Sequence, residues 1–294
     1  MKKKSSCSTQ GLRADIGPIE IIRILPNRYA DAVGPFVFLD HVLPRIQTTI
    51  NKEGTGAHPH RGIATLTYIL NGEDEHFDSA GNYAKVHSGG VQWMKAGKGI
   101  IHDETVNYDS QSDSRLIHAF QFWINLPSNI KAEKPEYLAI QGSEVPGKDL
   151  PEGNGWIKVI AGSFEDLSSA IPSYSQQFLY HVYLEPGATF TIDFTDKFEV
   201  AAYLPELPAT INDEQYQAGD FIEFDTEAGS IELRNVRQQA CNFILFGGEV
   251  YTEPIFAEGP FVMNSKVDTA IAYRDFLEGQ YGKINYNKQR FKRQ

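Results

Sequence analysis

The segment GAHPHRGIATLTYIL, residues 56–70, sets two histidines one residue apart at the head of an apolar run. Alternate residues of a strand share a face, so His58 and His60 are expected beside Gly62, Ala64, Leu66, Tyr68 and Leu70. The other face, Ile63, Thr65, Thr67 and Ile69, is less uniformly apolar, which places the histidine face inside a barrel or sandwich. Two imidazoles pointing into an interior must be hydrogen-bonded or bound to something. Similar short runs recur along the chain. IEIIRIL, FVFLDHVL, GVQWMKA, GIIHDETV and LIHAFQFWINL precede residue 126, and WIKVIAG, FLYHVYLEPGATFTIDF, FEVAAYL, GDFIEFD, SIELRNV and CNFILFGG follow residue 155. With turn residues between them and 25 Gly and 15 Pro in the chain, they predict an all-β protein.

The same parity argument applied to GKGIIHDETV, residues 97–106, puts Ile100, His102, Glu104 and Val106 on one face and Ile101, Asp103 and Thr105 on the other. His102 and Glu104 then point together among apolar neighbours. A buried carboxylate is costly unless it is paired or ligates a cation. Two strands that each offer an alternate-residue pair supply three histidines and one carboxylate. The second pair supports a metal site only if the two strands are neighbours; an H-x-H alone in a β-rich protein is more often structural or at the surface.

The chain is long enough, at 294 residues and 41% hydrophobic, for two domains with a core each. The stretch 127–155, rich in charge, Pro and Gly, reads as the connection between them. Residues 88–104 and 217–233 share a Gly-led strand, a turn and a second strand, which suggests duplication. These features divide the chain into an N-terminal barrel at 1–140, a C-terminal barrel at 141–264, and a helix with a basic tail at 265–294. The helix is read from Val267, Ala270, Ile271, Phe276 or Leu277, and Tyr281 at helical spacing, with Ser265 and Asp268 as a capping box.

The formal net charge of −11 repels phosphate backbones, so direct nucleic-acid binding is not expected. The one basic cluster, Lys283, Lys288, Arg290, Lys292 and Arg293, reads as a solvated terminus. Only Cys7 and Cys241 occur, which suits a reducing compartment without disulfides. The lysine-rich opening is followed by polar residues rather than an apolar leader, and no run is long enough to span a membrane. The expectation is a cytoplasmic protein and, since two barrels can bury their faces on each other, a monomer.

AHPHRGIATLTYIL (57–70), VQWMKAGKGIIHDE (91–104) with FQFWINLP (120–127), GPFVMNS (259–265) and FVFLDHV (36–42) together resemble the pirin family, a branch of the cupins built from two β-barrel domains. The resemblance runs in order through nearly the whole chain. It implies that His58, His60, His102 and Glu104 bind one divalent transition metal, with Fe(II) favoured over Mn, Co, Ni, Cu or Zn. The general cupin carboxylate, four or five residues after H-x-H, is replaced here by Ala64 and Thr65, and Glu104 takes its part, as in pirins. The second barrel offers only His181 and no comparable set.

The activity implied by bacterial members is that of a quercetin 2,3-dioxygenase (quercetinase), with a flavonol-like substrate and Glu104 as the catalytic base. Animal members imply an alternative, a metal- or redox-dependent regulator acting through protein partners. Tyr68, Trp93, Phe120 and Phe122, with Phe36, Phe38 and Trp123, are candidates for a pocket wall, and His118 for a hydrogen bond to a ligand. His41, His76, His87 and His181 are read as structural or exposed, and Asp103 as facing away.

Overall fold

The computed structural model describes residues 1–16 and 19–287. Of the basic tail, Lys283 lies among them, whereas Lys288, Arg290, Lys292 and Arg293 lie outside the described residues. Two compact units are present.

The unit that contains both histidine motifs has a seven-stranded sheet in which Glu136–Ile140, Val91–Lys95, Ile63–Asn71, Leu116–Asn125 and Phe36–Ile46 are successive neighbours. A four-stranded sheet orders His58–His60, Ile100–Asn107, Glu73–Asp78 and Tyr83–His87. These strands are rich in β-branched and aromatic residues, which pack well on a pleated, buried surface. The other unit repeats the plan. Ser5–Gln10, Asp220–Phe224, Phe198–Tyr203, Cys241–Glu249 and Gln177–Leu184 are successive in its seven-stranded sheet, and Thr189–Phe194, Gly229–Arg234, Ala209–Ile211 and Glu214–Tyr216 in its four-stranded sheet. Its core includes Ile157, Val182, Val200, Ile231, Leu233 and Phe243, all fully buried. The shared order agrees with the internal repeat, because Val91–Lys95 corresponds to Asp220–Phe224 and Ile100–Asn107 to Gly229–Arg234.

The units do not follow the divisions 1–140, 141–264 and 265–294. Met1–Arg13 and Arg23–Val37 join Val145–Tyr251, and the segment from Thr252 onward joins Phe38–Glu144. The first exchange arises because Ser5–Gln10 pairs antiparallel with Asp220–Phe224 and covers what would otherwise be an open sheet edge. In the second, Val262 N–H donates to the Arg61 carbonyl at 3.1 Å, and the strand pair Phe256–Glu258 and Phe261–Met263 leads into the helix Lys266–Leu277.

The capping box forms: Ser265 Oγ accepts from Asp268 N–H at 3.1 Å and donates to Asp268 Oδ2 at 2.6 Å. The buried face of the helix differs from the expected stripe. Val267 is 68% and Leu277 81% exposed. Thr269 and Ala272 turn inward instead, and Ala272 packs with Phe261, Met263 and Tyr281. Arg61 Nη1 adds an ion pair to Asp275 at 2.7 Å.

Lys131 anchors the same segment. Its buried Nζ donates to Asn125 Oδ1 at 2.7 Å and to the Val262 carbonyl at 2.6 Å. Burial pushes its pKa down to about 8. Between that value and the unfolded value of 10.5 the unfolded chain binds more protons than the folded one, so stability rises with pH. Relative to Lys131→Met, the wild-type chain is expected to gain up to about 1.4 kcal/mol per pH unit between pH 8 and 10. Urea melts of both proteins across that range check this, and a difference independent of pH would contradict it.

Candidate metal centre

Ile100–Asn107 runs antiparallel between His58–His60 and Glu73–Asp78. His102 lies opposite His58 on one side and Asp78 on the other, and Glu104 lies opposite His76. The two motifs are thus on neighbouring strands, the condition that the sequence left open. Ligand atoms of His58, His60 and His102 lie within 4.8 Å of one another, and so do those of His76, His102 and Glu104. His102 belongs to both triads. It is fully buried, and its Nε2 is 2.9 Å from His58 Nε2.

The backbone orients two of the imidazoles. His58 Nδ1 is 2.7 Å from the Gly56 carbonyl and His60 Nδ1 is 3.1 Å from the Pro260 carbonyl. A carbonyl only accepts, so each Nδ1 carries a proton and Nε2 is the ring nitrogen left to face a ligand. Burial, reinforced by the charge on His58, pushes the His60 pKa down to about 3 and holds His102 well below the ordinary histidine value. Both are neutral at pH 7, the form that binds a metal.

Glu104 is 6% exposed. Gln121 Nε2 donates to its Oε2 at 2.9 Å, and Thr67 Oγ1 donates to its Oε1 at 3.4 Å. Thr67 and Gln121 are cross-strand partners, so the larger sheet presents both to the smaller one. His76, 1% exposed, stacks on Tyr137 with ring centroids 4.2 Å apart and lies 5.5 Å from the His102 ring. The sequence reading missed its part in the site, although Asp74, His76 and Asp78 alternate along one strand. Asp74 is buried in the same row, and burial, reinforced by the charge on Glu104, raises its pKa well above the usual carboxylate range. His102 Nδ1 and His76 Nδ1 are buried without a hydrogen-bond partner among the described residues. Orphaned ring nitrogens in a buried cluster of imidazoles fit a site made to receive a cation.

The expected pocket wall is revised. Continuous parity through residues 58–70 fails at Gly62, which sits at φ +82° between the two sheets. Beyond that break Thr65 and Thr67 turn to the histidine side, and Tyr68 turns away. Tyr68 pairs with Phe120, and Leu66 with both Phe122 and Trp93, so these four of the seven proposed wall residues lie on the opposite face of the large sheet, and a fifth, Phe36, packs edge-on against Phe246 at 5.4 Å in the other unit. His118 lies on that face too, its Nε2 2.8 Å from His41 Nε2, and is not part of either histidine triad. Trp123 and Phe38 remain at the site: Trp123 packs edge-on against His60 at 4.9 Å and stacks on Phe38 at 4.1 Å. Asp103 faces away from the site, as parity predicts. It accepts from Gly56 N–H at 3.1 Å and from the Tyr286 hydroxyl at 2.8 Å, bracing the loop whose carbonyl orients His58. His87 and His181 are hydrogen-bonded away from the site, to Asp109 and Asn242.

The second barrel can be compared position by position. His102 pairs with His58, and its counterpart Ile231 pairs with Ile192; Ile100 pairs with His60, and Gly229 with Phe194. The repeat aligns Glu104 with Leu233. The four predicted ligand positions are therefore occupied by Ile192, Phe194, Ile231 and Leu233, none of which can bind a metal.

The profile of the Pirin family matches residues 19–124, and that of the Pirin C-terminal cupin domain matches residues 179–282. A pirin-like protein of Caulobacter vibrioides is 32% identical over 273 residues, covering 91% of each chain. The chain belongs to the pirin family. Among solved structures, a quercetin 2,3-dioxygenase from Acinetobacter baumannii is similar with a TM-score of 0.88 and 29% identity, covering 97% of this chain and 100% of that one. An Escherichia coli bacterial pirin in complex with nickel(II) shares the fold, with a TM-score of 0.61 and 19% identity over 83% and 99% of the two chains. A pirin with two cupin domains accounts for the all-β architecture and the repeated strand order. Among the described residues, no helix is long and apolar enough to cross a membrane.

Proposed function

We propose that the chain is a metal-dependent flavonol 2,3-dioxygenase acting on a quercetin-like substrate, with His58, His60, His102 and Glu104 as the ligands of one iron ion. The observation that carries this reading is the convergence of three imidazoles, two of them oriented by backbone carbonyls, beside a carboxylate held by Gln121 and Thr67. The structural likeness to a quercetin dioxygenase supports the substrate class. Imidazole with carboxylate suits several first-row metals, and iron is the choice the family resemblance favours.

When bound, the metal would supply a Lewis acid with open positions for a chelating substrate and dioxygen. The chain's own residues do the rest. Glu104 is placed to take the proton of the flavonol 3-hydroxyl, and its two hydrogen bonds keep the carboxylate aimed while it does so. Trp123 and Phe38 offer aromatic surface beside His60 for a flat substrate. Oxygen uptake by iron-loaded protein on addition of quercetin tests the proposal, and its absence in fully loaded protein would reject it.

Gln121 gives a separate prediction. Gln121→Leu removes the charge-assisted hydrogen bond to Glu104 at similar volume. Loss of such an outer partner is expected to weaken metal affinity about tenfold or more with the fold intact. Competition with a chelator measures it, and unchanged affinity would show that Glu104 is held by other contacts.

A further inference from the structure

We propose that the C-terminal barrel holds a second binding site, for a flat, neutral aromatic molecule that carries a phenolic hydroxyl. The inference starts from the register comparison. Where the first barrel has metal-ligand types, the second has Ile192, Phe194, Ile231 and Leu233. Ile231 and Leu233 are fully buried and Ile192 nearly so, and they fill the barrel to that depth. Beside Ile192 and Phe194 a cavity of about 890 Å³ opens, walled by Phe164, Tyr174, Phe178 and Phe198 as well. This is within the range of pockets that enclose drug-sized ligands.

The rings stand in contact without closing the space. Phe178 lies 5.0 Å from Phe194 and 6.3 Å from Phe198, and Phe164 lies 5.7 Å from Tyr180, all between centroids. Phe164, Phe194 and Phe198 are only partly buried although they pack against the core, so apolar ring surface remains open to the cavity. An aromatic ligand recovers that surface by stacked and edge contacts.

Polar groups narrow the ligand class. The charged residues that line the cavity are Glu165 and Asp193, both acidic. Glu165 is paired with Lys148, whose Nζ also lies 5.1 Å from the Phe164 ring centroid. The Tyr180 hydroxyl donates to the Ser163 carbonyl. Asp193 lies exposed on the strand that carries Ile192 and Phe194, an acceptor at the rim for a phenolic hydroxyl. Among the described residues that line the cavity none is cationic, the neighbouring Lys148 is held by Glu165, and the exposed carboxylate of Asp193 disfavours a carboxylate or phosphate.

The test uses the full chain carrying His58→Ala and His102→Ala, so that the first barrel's histidine cluster cannot contribute. It is titrated calorimetrically with 2-naphthol and with its anionic counterpart 2-naphthoate. Saturable binding of 2-naphthol at one site per chain is expected, with 2-naphthoate about tenfold weaker or undetectable and Phe194→Asp lowering 2-naphthol affinity about tenfold or more. If Phe194→Asp does not fold, the crystal structure of the unsubstituted barrel with 2-naphthol decides, by density between Phe164 and Phe194. No saturable binding, equal affinity for the two probes, unchanged affinity in folded Phe194→Asp, or density elsewhere would each overturn the proposal.

Discussion

The double substitution His58→Ala, His102→Ala is expected to yield a folded protein that retains less than about a tenth of an equivalent of metal, against about one for the wild type. It leaves His60 as the last imidazole of its triad and takes His102 from both triads. Folding should survive, because His102 is neutral and its Nδ1 makes no hydrogen bond that would be lost. The expected cost is that of a modest cavity, roughly 1–3 kcal/mol. Elemental analysis beside a thermal melt separates the two effects. Metal retained by a folded double variant would mean that the ion is held elsewhere, and His76, Glu104 and Asp74 would be the first residues to examine.

Gly62→Ala is expected to produce the largest loss of stability of any single methyl added to the chain near the site. At φ +82° an L side chain costs about 1–2 kcal/mol, and the added Cβ would lie 2.0 Å from the Val262 carbonyl oxygen. Backbone cannot yield as the tip of a flexible side chain can, so overpacking adds roughly 1–3 kcal/mol. A melting midpoint lower by roughly 10 °C follows for a chain of this size. Metal affinity should fall with it, because Gly62 sets the step from the strand carrying His58 and His60 to the strand carrying Thr67. A midpoint within about 2 °C of wild type would show that the segment around Val262 moves aside at little cost.

The same glycine marks where sequence reading stopped. H-x-H and H-x-E were legible as alternate-residue pairs, since strand periodicity is local. The reversal of parity at Gly62 was not, because a glycine inside a strand pattern does not say whether the chain runs straight through it or turns there, and the turn moved Tyr68, Trp93, Phe120 and Phe122 off the site. Gln121 and His76 escaped for a related reason: what makes each part of the site is its cross-strand partner, Thr67 or Glu104, and register is not written in a single strand. The exchange of Ser5–Gln10 into the second barrel was equally hidden, as the strand carries no mark of which sheet edge it covers. By contrast, the absence of a ligand set from the second barrel was visible from the repeat itself, which sets Ile231 and Leu233 against His102 and Glu104.

These strands also show how two barrels of one plan can differ in their chemistry. Both share a strand order, so the difference lies in the side chains at equivalent positions: neutral imidazoles and an oriented carboxylate in one, aliphatic and aromatic groups in the other. Fold supplies the positions, and the residues at them decide the chemistry.

In the flavonol 2,3-dioxygenase reaction that the family resemblance implies, both atoms of dioxygen enter the substrate, the central ring opens and one ring carbon leaves as carbon monoxide. The most direct test of the proposal is that product: iron-loaded wild-type protein given quercetin and oxygen should release carbon monoxide in step with the quercetin and oxygen consumed, above the level of a protein-free autoxidation control. Iron-replete, folded protein that releases no carbon monoxide above that control would contradict the dioxygenase assignment.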